Sequence, residues 1–408
     1  MTATLETPLL RDADFRNFYA ASAVSQFGSQ ITYVALPLLA VTTLHAGPAE
    51  VGLLSSLTTI TVLVVGLPAG AWLDRVRRRP VMVGADLARA LLLASLPLAW
   101  WQGWLSMWQL YGVAMATGIG TLFFDVASHS ALPHIVGRER LTAANSMLVG
   151  TTAAMDVSGR SFAGVLVGLV GAPPAVLADV ASYLASAVLL RRLRRPEPDP
   201  APSASGERLG AQIAEGVRFM ARHPVLRPIA EQGALHNLGY VLMAVLLPVL
   251  VVRQLGYPEW VLGVFLAVGG VGMLAGSATA HLVGTWLGRG RAVWVVSLTT
   301  MPAAPAVPLL DRGAGMWVAA LGWFVLTYRA GLNNVLLISF RQRVTPDAML
   351  GRMNATMRLL FMGAVGVGGL LGGLIGELWG VRAALWAGAA VCALSWLPIW
   401  RSPIRSDV

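Results

Sequence analysis

Lysine is absent from this 408-residue chain, and all 30 of its basic residues are arginine. No G-x-x-x-x-G-K-[ST] loop is present, so pumping driven by ATP at a site of that type is not expected. Cysteine occurs once, as Cys392 in an apolar run, which rules out an intramolecular disulfide. The six histidines are scattered without metal-ligand spacing. No metal or cofactor is implied. Charge of either sign is scarce: 12% of the residues are charged, against about 25% in a soluble domain. The net charge of +10 does not point to nucleic acid, because the arginines lie between apolar segments rather than on a basic face of a soluble module. No nucleophile elbow, catalytic cluster or large soluble domain is visible, so an enzyme or a sensor is not expected. The N-terminal MTATLETPLLRDADFR lacks the basic start and small-residue cleavage site of a signal peptide. The first apolar segment is therefore expected to remain as a helix.

What the chain has is hydrophobic length. Hydrophobic residues make up 56% of it, in runs of about 20 that can each cross a bilayer. The pattern predicts an all-α membrane protein with twelve spans, at 17–44, 50–73, 80–101, 107–132, 141–170, 173–192, 226–253, 259–287, 291–310, 315–340, 347–377 and 381–400. Alternate loops carry most of the arginine: Arg75 to Arg79, Arg138 and Arg140, Arg191 to Arg222, Arg289 and Arg291, Arg341 and Arg343. The positive-inside rule makes those loops cytoplasmic, with both termini on the same side. A bacterial-type inner membrane is the expected location. Trp100, Trp101, Trp104 and Trp108 flank a short outer loop, as an interfacial belt does.

The longest break, RRLRRPEPDPAPSASG at 191–206, divides the chain nearly in half. Leu209, Ile213, Val217 and Met220 then recur at helical spacing among charges, which predicts an amphipathic helix on the membrane surface. The expected domains are a six-helix half at 1–190, a linker at 191–224 and a second six-helix half at 225–408. The halves repeat each other. At an offset of 211, Arg16 meets Arg227, Gly28 meets Gly239, Pro37 meets Pro248 and Gly52 meets Gly263. At an offset of 209, Asn145 meets Asn354, Gly159 meets Gly368, Gly164 meets Gly373 and Gly171 meets Gly380. Two parallel six-helix repeats are the plan of the major facilitator superfamily, with a substrate site between the halves.

Between the second and third spans stands GAWLDRVRRRP, where Gly70, Asp74, Arg75, Arg78 and Arg79 match the loop signature of that superfamily. The family usually has glycine where this chain has Arg77. Four further stretches extend the likeness over nearly the whole chain: DFRNFYAASAVSQFGSQITYVALPLLAV, FFDVASHSALPHIVGRERLTAAN, ADVASYLASAVLL and RQRVTPDAMLGRMNATMR. They resemble the drug–proton antiporter branch that includes macrolide-efflux and enterobactin-export proteins. The resemblance implies a gating role for the loop. Asp74 can face the N-terminus of the eleventh span, where an acid gains roughly 0.3–1 kcal/mol from the helix dipole.

Charges inside a bilayer are costly and invite a functional reading. Asp156 and Arg160 are four apart in the fifth span and share a face. The family pattern has proline at 160, so the usual glycine–proline bend is altered here. Asp125, Ser128 and His129 share a face of the fourth span. Glu231, His236, Asn237 and Tyr240 lie in the seventh; Gln26, Gln30 and Tyr33 form a stripe in the first; Tyr328, Arg329, Asn333 and Asn334 lie in the tenth. The resemblance implies that spans one, four, seven and ten line the cavity. Expected substrate contacts are therefore Gln26, Gln30, Tyr33, Asp156, Arg160, His236, Asn237, Tyr240, Tyr328, Arg329, Asn333 and Asn334. Asp125, His129, Asp156 and Glu231 are the expected proton-coupling groups. Asp86, Arg89 and Asp179 sit nearer helix ends and read mainly as structural. The glycine-dense eleventh span, GAVGVGGLLGGLIG, permits close helix approach.

The expected activity is proton-driven export of an amphiphilic organic compound, such as a drug, antibiotic, natural product or siderophore, by a monomer. The expected partners are that small molecule, protons and the lipid bilayer. A facilitator or importer of the same fold is the alternative, because direction depends on coupling.

Overall fold

The computed structural model describes residues 9–73, 76–137, 139–195, 197 and 209–406. The described residues form helices and no strands. The helices are α1 (Ala13–Thr42), α2 (Pro48–Leu73), α3 (Arg78–Trp101), α4 (Met107–Val136), α5 (Leu141–Val170), α6 (Ala172–Arg191), α7 (Leu209–Arg222), α8 (Leu226–Ala244), α9 (Glu259–Leu287), α10 (Arg289–Thr299), α11 (Ala314–Val344), α12 (Asp347–Trp379), α13 (Val381–Leu394) and the short α14 (Leu397–Trp400). A π-helical turn, Val249–Gln254, prolongs α8, and two 3₁₀ turns prolong α10 to Leu309. Eleven stretches among the described residues are long and apolar enough to cross a membrane. α11 adds 31 residues of helix whose apolar character is diluted by Tyr328, Arg329, Asn333 and Asn334. The predicted amphipathic segment is α7.

Local chemistry sets the ends. Asp12 Oδ1 accepts from the amides of Asp14 and Phe15, which caps α1. Ser106 Oγ accepts from the amide of Gln109 at the start of α4. Gly171 separates α5 from α6 with φ +82°, and Gly380 separates α12 from α13 with φ +91°. Only glycine takes that left-handed backbone without strain. These two are repeat equivalents, so the same break recurs in both halves.

Packing divides the chain into two compact units, residues 1–44 with 64–204, and residues 45–63 with 205–408. In the first, Phe15, Phe18, Met82, Phe124, Leu132 and Leu190 lie in one apolar core. In the second, Leu226, Leu336, Phe340, Met353 and Ile399 do the same. The repeat glycines do equivalent work in each. A methyl group on Gly28 would meet Ser182 and Asp179 of α6, and one on Gly239 would meet Cys392 and Gly388 of α13. Gly159 lies against Gln30 and Phe27 of α1, and Gly368 against Leu238 and Val241 of α8. First and last helices of each repeat thus touch at a glycine, as do first and fifth.

The early part of α2 belongs to the second unit. Gly52 lies against Gly369 and Gly373 of α12. Arg253 donates to the carbonyls of His45 and Ala46, and Glu377 accepts from the amide of Ala49. α7 packs on the start of α12, where Arg352 meets Glu215 at 2.5 Å. Trp101, Trp104 and Trp108 are about four-fifths exposed around the turn between α3 and α4, as residues facing lipid headgroups are.

Candidate functional site

Gln26 and Gln30 are one turn apart on α1, facing α5. Gln26 Nε2 donates to Asp156 Oδ1 at 2.9 Å, and Gln30 Nε2 donates to the same oxygen at 2.6 Å. Arg160 Nε donates to Gln30 Oε1 at 2.8 Å. Asp156 and Arg160, one turn apart on α5, are both hydrogen-bonded to Gln30. The Arg160 guanidinium also lies over the Tyr33 ring, 4.8 Å from its centre. A cation over a ring face is attracted by the ring quadrupole. Gly159 makes the approach feasible: a methyl group there would stand 2.7 Å from Gln30 Cβ. Phe27 and Phe162 pair beside the site, ring centres 5.5 Å apart. Tyr33 is 55% exposed and Phe162 46% exposed. The site therefore offers an acid, a guanidinium, two carboxamides and accessible rings.

On α4, Asp125 is half-buried and His129 is exposed. Asp125 lies within electrostatic reach of Arg89 on α3. Arg89 belongs to a buried cluster with Asp86 and Asp179, all three at most 1% exposed. The sequence reads these three as mainly structural, and the structure places them in one buried group with an ion pair between Asp86 and Arg89.

In the second unit, Arg329 is 1% exposed. One of its nitrogens meets His236 Nδ1 at 2.9 Å and Ser395 Oγ at 3.2 Å, and both terminal nitrogens donate to the Cys392 carbonyl. Tyr240 stacks on Trp323 with ring centres 4.9 Å apart, and Phe265 extends the stack. His236, Tyr240 and Arg329 are thus brought together. Trp323, Ser395 and Cys392 join them without any sequence signal beyond their apolar surroundings. Other expected residues are engaged elsewhere. Tyr328 bonds Thr279, Asn333 donates to Ser297, and Asn237 donates to the Gly233 carbonyl of its own helix. Glu231 accepts from Arg227 at 2.7 Å, both side chains substantially exposed. Asn334 is exposed.

Of the loop motif, Gly70 lies in the last turn of α2, while Asp74 and Arg75 lie outside the described residues. The backbone amides of Arg78 and Arg79 donate to the Glu197 carboxylate. Glu197 sits in the proline-rich linker, where no periodicity marks it. Asp14 accepts from the amides of Arg194 and Arg195, and Asp12 bonds the Arg195 side chain at 2.6 Å. These acids tie the arginine-rich start of the linker to α1 and α3.

Residues 4–407 match the family described as transmembrane secretion effector, nearly the entire chain. The chain belongs to that family, within the major facilitator superfamily. Among curated members of the superfamily, it is 28% identical over 406 residues to the multidrug efflux pump Tap of Mycolicibacterium fortuitum, covering 95% of this chain and 93% of Tap. It is 26% identical over 381 residues to the enterobactin exporter EntS of Escherichia coli O1:K1, covering 88% and 85% of the two chains. The fold is also that of an inward-facing bacterial homologue of the iron transporter ferroportin, with TM-score 0.72, 18% identity and coverage of 97% and 99%. A family of this kind is made of multi-pass membrane transporters for small molecules, not enzymes, consistent with a bacterial inner membrane.

Proposed function

We propose that the chain is a proton-coupled exporter of an amphiphilic organic compound, working by alternating access. The observation that carries this reading is the α1–α5 site. Asp156, Arg160, Gln26 and Gln30 present charge and hydrogen bonds next to the exposed rings of Tyr33 and Phe162. An amphiphile needs that combination, a polar anchor beside an apolar wall. The likeness to a multidrug efflux pump and an enterobactin exporter supports export of a bulky organic molecule. Embedded acids supply the means of coupling, and Asp125, His129, Asp156 and Glu231 are the titratable groups on the spans that could take part. Protonation and substrate occupancy compete, so that downhill proton entry drives substrate out. The His236–Arg329 group with Tyr240 is the corresponding polar group of the second unit. Asp74 with Arg75, Arg78 and Arg79 forms the cytoplasmic gate. Both termini are cytoplasmic, and the working unit is a monomer.

Everted membrane vesicles supplied with external ethidium as probe test the reading. Accumulation is expected to collapse with a protonophore and to survive ATP removal when a proton gradient is imposed. Accumulation indifferent to the protonophore overturns the coupling, and equilibration without accumulation favours a facilitator.

A further inference from the structure

We propose that the buried Asp86–Arg89–Asp179 cluster is a proton-binding site of the transport cycle, linked to the substrate site through α1. The inference rests on the proton-coupled reading above and adds a buried site where a proton is held during the cycle.

The geometry is compact. Asp86 and Arg89 are one turn apart on α3, and an Arg89 terminal nitrogen donates to Asp86 Oδ1. Arg89 also reaches Thr121 Oγ1 at 3.3 Å and lies over the rings of Tyr183 and Phe124, at 4.1 and 4.9 Å. Asp179 on α6 accepts from Thr32 of α1 and from Ser182 at 2.8 Å. Asp86 and Asp179 have no exposed surface. Arg89 Nε is buried without a hydrogen-bond partner, and the Ser186 hydroxyl faces the Asp86 carboxylate.

The charge sum decides the argument. Asp86, Asp179 and Arg89, with both acids ionised, carry a net charge of −1 in a medium that solvates charge poorly, and Asp125 near Arg89 adds to the negative side. One bound proton brings the three-residue sum to zero. Asp86 already has the guanidinium, so Asp179, which accepts from the Thr32 and Ser182 hydroxyls, is the carboxyl that gains most from the proton. Arg89 occupies Asp86 Oδ1, so the other oxygen, with Ser186 beside the carboxyl, is the acceptor a proton can reach. The other groups facing the cluster are Asp125 from α4 and the Tyr183 phenol from α6, and α1 presents the Ser29 and Thr32 hydroxyls. The charged pair of α5 is taken up by Gln26 and Gln30 on a neighbouring face of α1.

α1 therefore holds substrate-site contacts on one face and proton-site contacts on the next. Gly28 sits on the second face, where a methyl group would stand 2.3 Å from Asp179 Oδ1. Any change in the Asp179 hydrogen bonds is felt directly by α1, because no side chain cushions the contact. Gly120 plays the same part for Arg89, with a methyl position 2.7 Å from its Cγ.

The test uses the full-length protein in detergent and infrared difference spectroscopy between high and low pH. The parent is expected to show a protonated-carboxyl stretch from the cluster. With Asp86→Asn or Asp179→Asn the remaining acid pairs with Arg89, the sum is zero without a proton, and the band is lost. Arg89→Gln demands a second proton and strengthens the band. In proteoliposomes, both Asn variants are expected to bind ethidium but to lose gradient-driven efflux. A band that persists in both Asn variants, or that is removed by Asp125→Asn instead, overturns the assignment. So does full gradient-driven efflux in both. If efflux by the parent itself ignores the protonophore, the coupled-export reading fails, whatever the spectra show.

Discussion

At Asp156 a single carboxylate oxygen accepts from two carboxamides contributed by another helix. A hydrogen bond to a charged group contributes about 1.5–3 kcal/mol net, and losing the charge weakens both bonds together. Asp156→Asn keeps one acceptor oxygen but removes the charge that holds Gln26, Gln30 and, through Gln30, Arg160. The expected outcome is an inserted protein with a lower unfolding temperature in detergent and weaker binding of ethidium. Also changing Arg160 to Met removes the guanidinium left with less compensation and recovers part of the stability. Equal unfolding temperatures for the parent and Asp156→Asn mean that the α1–α5 network contributes nothing to holding the fold.

Among the helices, close approach through glycine is the recurring device. Gly52 of α2 lies so near α12 that a methyl group there would stand 2.5 Å from the Gly369 carbonyl oxygen and 2.6 Å from Gly373 Cα. Both neighbours are backbone and cannot rotate away. Gly84 of α3 is the contrast, since a methyl group there meets nothing within 4 Å. Alanine is favoured over glycine inside a helix by roughly 0.5–1 kcal/mol. Gly84→Ala is therefore expected to be neutral or stabilising. Gly52→Ala is expected to lose about 1–3 kcal/mol through overpacking, with efflux impaired. Thermal unfolding of the two variants side by side decides it. A Gly52→Ala protein as stable as Gly84→Ala shows that the α2–α12 contact is looser than it looks here.

For the whole molecule, arginine placement implies a topology. Cysteines introduced at Arg77 and Arg192 should react with a membrane-impermeant thiol reagent from the cytoplasmic side, and one at Trp104 from the opposite side. The natural Cys392 has no exposed surface, so it adds no background. Labelling of Arg77→Cys and Trp104→Cys from the same side contradicts the positive-inside assignment.

Helix positions were legible in the residues because the bilayer leaves so few options. A spanning segment must satisfy its own backbone hydrogen bonds and be about 20 apolar residues long. The runs at 141–170 and 259–287 reappear as α5 and α9 with the same ends. The glycine breaks at 171 and 380 could likewise be matched by eye, since a left-handed residue at a helix end calls for glycine. What the residues did not reveal is which side chains meet. Asp156 finds Gln26 and Gln30 at separations of 130 and 126 residues, Asp179 finds Thr32 across 147, and Glu197 finds Arg78 across 119. In a soluble helix the apolar stripe tells which face turns inward. In these spans lipid and protein interior are nearly equally apolar, so the rotation of each helix about its axis leaves little mark on the sequence. Only the packed structure sets that rotation, through the glycines that let one helix rest on another, and with it decides which embedded charges become neighbours.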